Sequence, residues 1–129
     1  MKAELLLKDL QEALTRFEEA LQGDTESDVY KAGCIQYFEF TFELAWKTIK
    51  VTAEDAGLDA GGSPKSCLKT AYKQGWIKDE AVWLEMLDAR NRMSHTYDAK
   101  DALKVYEKLG GFVAPLQALS QNLKKAGSI

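Results

Sequence analysis

From Asp28 to about Ala56 the sequence holds a helical period almost without interruption, and this stretch limits what the chain can become. Ile35, Phe38, Phe42, Ala45, Ile49 and Thr52 form one stripe. Tyr37, Thr41, Leu44, Thr48 and Val51 form a second beside it. So broad an apolar surface needs cover on two sides, at the centre of a bundle or between a bundle and a second subunit. Its polar edge carries Gln36, Glu39, Glu43, Lys47 and Lys50, with Glu43 and Lys47 in the favourable i,i+4 order.

The flanking segments are helical too. Leu7, Leu10, Leu14, Phe17 and Leu21 predict a first helix over about residues 3–22, ended by Gly23-Asp24, with Ser27 or Asp28 capping the next. Gly57 stops the long helix and Gly61-Gly62 is a joint. Ser63-Pro64 then starts a short helix ending at Gly75. Asp79 caps a fourth, running to about Met93. The last begins near Ala99 and carries Val105, Leu109, Phe112, Leu116, Leu119 and Leu123; Gly110-Gly111 and Pro115 predict a kink or two pieces. There is no alternating strand pattern, internal repeat or long linker. The expectation is one domain over residues 1–129, an all-α antiparallel up-and-down bundle of four to five helices.

With 46% hydrophobic and 29% charged residues, the chain is not of the disordered class. Leu5-Leu6-Leu7 is far too short to span a bilayer, and no N-terminal stretch resembles a secretory signal. Cys34 and Cys67 lack metal-ligand spacing and read as reduced core thiols of a cytoplasmic protein. No Cys/His cluster suits zinc. A net charge of −3 argues against a general nucleic-acid binder. The charge is uneven, however: residues 1–30 hold eight acids and three bases, residues 61–108 nine bases and seven acids. A polyanion would meet the second region.

Chemistry concentrates in Arg90-Asn91-Arg92-Met93-Ser94-His95-Thr96-Tyr97, which holds the single histidine. Arg90 falls on the stripe of Trp83, Met86 and Leu87, where a leucine is expected. A charge there must be paired, face a cleft or meet another subunit; Glu39 and Glu43 are the candidate partners. His95, five residues on, sits about 140° around a straight helix from Arg90. The two share a site only if the helix ends between them or a second subunit contributes. Asn91 and His95 are i,i+4, so the amide can fix the imidazole tautomer.

The spacing Arg-x4-His-x-Tyr, with Asn after the Arg, resembles the motif of HEPN domains. More narrowly, the chain is similar to the nucleotidyltransferase substrate-binding proteins, HEPN partners of minimal (MNT) nucleotidyltransferases. The likeness rests on Ile35 to Lys47, on Ser63-Pro64 to Trp76-Ile77, and on Trp83 to Asn91 running into Ser94-His95-Thr96-Tyr97-Asp98. It implies a helical bundle that homodimerises with motifs from both subunits lining one cleft. It also implies metal-independent ribonuclease activity, a toxin whose MNT antitoxin adds AMP to Tyr97, and no cofactor. In that scheme Arg90 holds the phosphate, His95 is general acid or base, Asn91 orients it, and Tyr97 supports the site.

Other residues are weaker candidates. Lys65, Lys69 and Lys73 follow one another at i,i+4 and, with Arg92, can contact RNA or a nucleotide; a solvated helix face is the plain alternative. Glu39 and Glu43 could be a catalytic pair, though partnering Arg90 suits them better. Trp46, Trp76 and Trp83 read as core or interface anchors. Two non-enzymatic readings stay open: a nucleotide- or substrate-binding subunit of a two-component nucleotidyltransferase, and a purely structural adaptor.

Overall fold

A computed structural model describes residues 2–23, 26–95 and 98–127, leaving out the side chains at 94 and 95. It is all-helical among those residues: α1 (Lys2–Leu21), α2 (Asp28–Asp55), α3 (Pro64–Lys73), α4 (Glu80–His95), α5 (Ala99–Lys108) and α6 (Val113–Ala126). A 3₁₀ turn, Leu109–Phe112, joins the last two. The terminal helix thus comes in two pieces. Pro115 falls in the first turn of α6, where a missing N–H costs nothing.

Local chemistry sets the ends. The Ser27 hydroxyl accepts the Tyr30 N–H, and Ser63 and Ser66 form a reciprocal capping box at the start of α3. Asp79 Oδ1 accepts the Val82 N–H at 3.3 Å, and Asp98 Oδ1 accepts that of Lys100 at 2.9 Å. Gly57 and Gly75 stop α2 and α3 at φ of 78° and 77°, values that other residues rarely adopt. In each case the two orphan carbonyls are met in a Schellman pattern. Leu58 N–H reaches Ala53 O at 2.9 Å and Gly57 N–H reaches Glu54 O at 3.0 Å. Trp76 N–H and Gly75 N–H repeat this on Ala71 O and Tyr72 O.

α2 lies at the centre and touches every other helix. Its first stripe, with Phe38, Phe42, Ala45 and Ile49, is fully buried. Phe38 stacks at 6.1 Å on Phe17 of α1, 6.1 Å on Phe42 and 5.3 Å on Phe112, and Phe42 lies 6.4 Å from Trp83 of α4. Each such pair adds roughly 0.5–1.5 kcal/mol beyond area burial. The hydroxyls of the second stripe are satisfied in place: Thr41 donates to Tyr37 O at 2.7 Å and Thr48 to Leu44 O at 2.6 Å. Thr41, Thr48 and Val51 of this stripe are buried, and the exposed apolar residues lie toward the start of the helix. Val29, Tyr37 and Phe40 are 84%, 39% and 52% exposed, a large apolar exposure for one helix.

Cys34 and Cys67 are free and buried. Burial raises both thiols above their ordinary pKa. Trp83 is buried, while Trp46 and Trp76 are partly buried against the core. No described helix is long and apolar enough to cross a membrane.

Candidate functional site

Trp83, Met86 and Ala89 bury one face of α4, and Arg90 continues that face at the rim. Its guanidinium cannot enter the apolar interior uncompensated, and it turns to α2. Nη2 lies 2.6 Å from Glu43 Oε1, with 29% of the arginine and 31% of the glutamate side chain exposed. That oxygen is closed off from solvent, so the guanidinium is what compensates it. The other carboxylate oxygen, Oε2, accepts the Trp46 indole N–H at 3.0 Å. Arg90 Nη1 donates to Asn91 Oδ1 at 3.2 Å. Indole, carboxylate, guanidinium and amide therefore form one chain of contacts from α2 to α4.

The pairing of Arg90 with Glu43 is one of the two the sequence offered; two other details, the place of Lys47 and the role of Trp46, differ from the sequence reading. Glu43 turns to Arg90 and Trp46, and Lys47 instead lies with its ammonium 5.8 Å from the Trp46 ring centre. A half-buried carboxylate gains more from two directed donors than from a flexible surface lysine. The role of Trp46 as a donor is the second. Its only signal in the sequence is its place three residues after Glu43, where the two side chains share a helix face.

Glu39 sits one turn before Glu43. Burial pushes its carboxyl above the usual range, the nearby Arg90 charge opposes this, and the Glu43 charge adds to it. Both carboxylates thus belong to the electrostatic surroundings of Arg90, and Glu43 makes the contact.

Arg92 and the α3 lysines take no part in this chain of contacts. Arg92 pairs with Asp88 one turn back at 3.4 Å, on an exposed part of α4. Lys65, Lys69 and Lys73 lie in a row on the open face of α3. α4 runs on through His95, two residues past the expected end near Met93. The helix therefore does not break between Arg90 and His95, and their positions stay about 140° apart. The His95 side chain and the whole of Tyr97 lie outside the described residues. Among the described residues, one surface hollow is lined by Leu7, Thr52, Trp76 and Leu123 and another by Arg16, Tyr30, Cys34 and Tyr37; Arg90 lines neither of these. Among the described residues no group of three His, Cys, Asp or Glu side chains is placed to hold a metal ion.

The profile of the family described as "Nucleotidyltransferase substrate binding protein like" matches residues 5–125. The chain belongs to that family. A family relative, "Probable ribonuclease HepT" of Haemophilus influenzae, is 34% identical over 112 residues, covering 81% of this chain and 75% of the relative. Two solved structures share the family fold. A Thermus thermophilus protein superposes with a TM-score of 0.81 at 29% identity, covering 89% of this chain and 98% of its own. A Haemophilus influenzae protein, described as revealing the fold of a substrate binding domain of a nucleotidyltransferase, gives 0.79 at 31% identity, covering 92% and 98%.

Proposed function

We propose that the protein is a metal-independent endoribonuclease of the HEPN type, active as a homodimer and silenced by a partner nucleotidyltransferase. The observation that carries the reading is the Arg90 guanidinium, held at a solvent-facing rim by Glu43 at 2.6 Å rather than sunk in the core. The relative named as a probable ribonuclease supports the choice of reaction.

In this scheme Arg90 binds the scissile phosphate and stabilises charge building on its equatorial oxygens. One His95 imidazole takes the proton from a ribose 2′-OH as that oxygen attacks phosphorus. A second protonates the departing 5′-oxygen, leaving a 2′,3′-cyclic phosphate and a 5′-hydroxyl. A chain with one histidine needs two copies for this. The unbroken course of α4 supports the same conclusion, because Arg90 and His95 of one chain diverge around it. The exposed Val29, Tyr37 and Phe40 offer an apolar surface for the second copy. Asn91 meets Arg90 with its carbonyl oxygen, and its amino end orients His95 one turn on. For silencing, the Tyr97 hydroxyl attacks the α-phosphate of ATP on the partner and releases pyrophosphate. The added AMP places bulk and negative charge beside the groove.

The test is incubation of the pure protein with RNA in EDTA. Cyclic phosphate ends should appear with wild type and vanish with His95→Ala and Arg90→Ala. No cleavage by wild type, or equal cleavage by His95→Ala, refutes the reading. Co-expression with the nucleotidyltransferase should add one AMP, absent in Tyr97→Phe.

The family description favours a second reading, in which the same groove holds a nucleotide for the partner and cleaves nothing. Calorimetric nucleotide binding lost in Arg90→Ala, without ribonuclease activity, would select it.

A further inference from the structure

Residues 60–78 carry Lys65, Lys69, Lys73 and Lys78 and no acid, in a chain whose net charge is −3. Helix α3 occupies the middle of this stretch and turns Cys67, Leu68 and Ala71 into the core. Its other side is open. Lys65, Lys69 and Lys73 are all exposed, and Tyr72 is 49% exposed among them. At about 100° per residue, the three lysines and the tyrosine fall within roughly 100° of arc. The lysines span about 12 Å along the axis, one every ~6 Å. Lys50 and Glu54 of α2, which both act on the Cys67 thiol from beneath, carry opposite charges. Asp59 and Asp79 close the stretch at either end, so the excess of positive charge comes from the lysines of α3 itself.

We infer that this face of α3 is a track for single-stranded RNA, the lysines meeting successive phosphates and Tyr72 stacking on a base. Three cations in a row with no acid on their own helix repel one another, and only Lys73, in the last turn, gains from the helix dipole. A half-exposed aromatic among them is likewise not needed by the core. A backbone polyanion with unstacked bases satisfies both at once. A duplex would use the lysines and leave the ring idle. The track lies on the helix that packs against both α2 and α4, the two elements holding Glu43 and Arg90. The inference rests on the ribonuclease reading and adds to it where the substrate is held and in which form.

The test uses the full-length protein and a fluorescein-labelled 2′-O-methyl RNA 12-mer, which lacks the attacking hydroxyl and reports binding alone by anisotropy. Between 50 and 200 mM salt, Lys65→Gln/Lys69→Gln/Lys73→Gln should lower the slope of log affinity against log salt by about 2, from three phosphates at ~0.7 each. Tyr72→Ala should weaken binding about fivefold or more without changing that slope. Lys124→Gln/Lys125→Gln on α6 is the control for loss of charge elsewhere. If wild type binds but the α3 variants keep its affinity and slope, the track is wrong and the ribonuclease reading stands. If a duplex probe binds as well as the single strand and ignores Tyr72→Ala, the track is again wrong. If wild type neither binds nor cleaves, the ribonuclease reading falls and the track with it. Circular dichroism melts of the variants should match wild type, since all four positions are exposed.

Discussion

Glu43→Gln isolates one charge with almost no change of shape. The amide oxygen can keep the Trp46 indole bond, made at 3.0 Å in the native protein. Its amino end then faces the Arg90 guanidinium, donor against donor, where a carboxylate oxygen stood at 2.6 Å. A hydrogen bond to a charged group contributes about 1.5–3 kcal/mol. With 29% and 31% of the two side chains exposed, solvent screening trims that to roughly 1–2 kcal/mol. At ~3–5 °C per kcal/mol for a domain of this size, Tm should fall by roughly 3–10 °C. The released guanidinium should also lower kcat/KM for RNA, by roughly tenfold or more for a displacement of about 1 Å. A double-mutant cycle with Arg90→Met separates the pair from its surroundings, and its coupling energy should equal most of the loss. A coupling under ~0.3 kcal/mol, with cleavage unchanged, would refute the idea that Glu43 positions Arg90.

Other perturbations have equally definite outcomes. Glu39→Gln should stabilise at pH 7. The native carboxyl has a raised pKa, so the stability it allows is complete below the unfolded value and is lost as pH rises through the folded one. Urea melts should therefore show the gain at pH 7 shrinking as pH falls toward 4. Phe38→Ala removes a ring in contact with three others and should cost about 3–5 kcal/mol, measured by the urea midpoint. Cys34 and Cys67, buried with raised thiol pKa values, should resist iodoacetamide at pH 7.5 and react promptly in guanidinium. Phe40→Asp should leave the monomer folded, because the ring is 52% exposed, yet shift sedimentation from dimer to monomer.

Helix placement is legible in the sequence because its signals are local. Ser27, Ser63, Gly57 and Gly75 act within a turn of where they stand, and the apolar stripes need only the 3.6-residue period. Arg90 in an apolar stripe announces that a partner exists. The choice between Glu39 and Glu43, one turn apart, is not legible, because the axial offset of α2 against α4 decides it. That offset follows from how Phe42 and Trp83 pack, a contact between residues far apart in the chain. The Trp46 bond is hidden because tryptophan in an apolar pattern is explained well enough by burial. The length of α4 is under-read for a related reason: Met93 is the last apolar position, but helical geometry continues through His95. Tyr97 lies outside the described residues, so its place rests on sequence likeness.

The brackets around α3 have a wider consequence. The Ser63–Ser66 box and the Gly75 stop define this helix from its own backbone, and Cys67, Leu68 and Ala71 anchor it from below. Nothing that keeps it helical comes from its outward side. A segment secured in this way can be rewritten on its exposed half without endangering the bundle. Variation there among relatives would record a change of company, not a change of architecture.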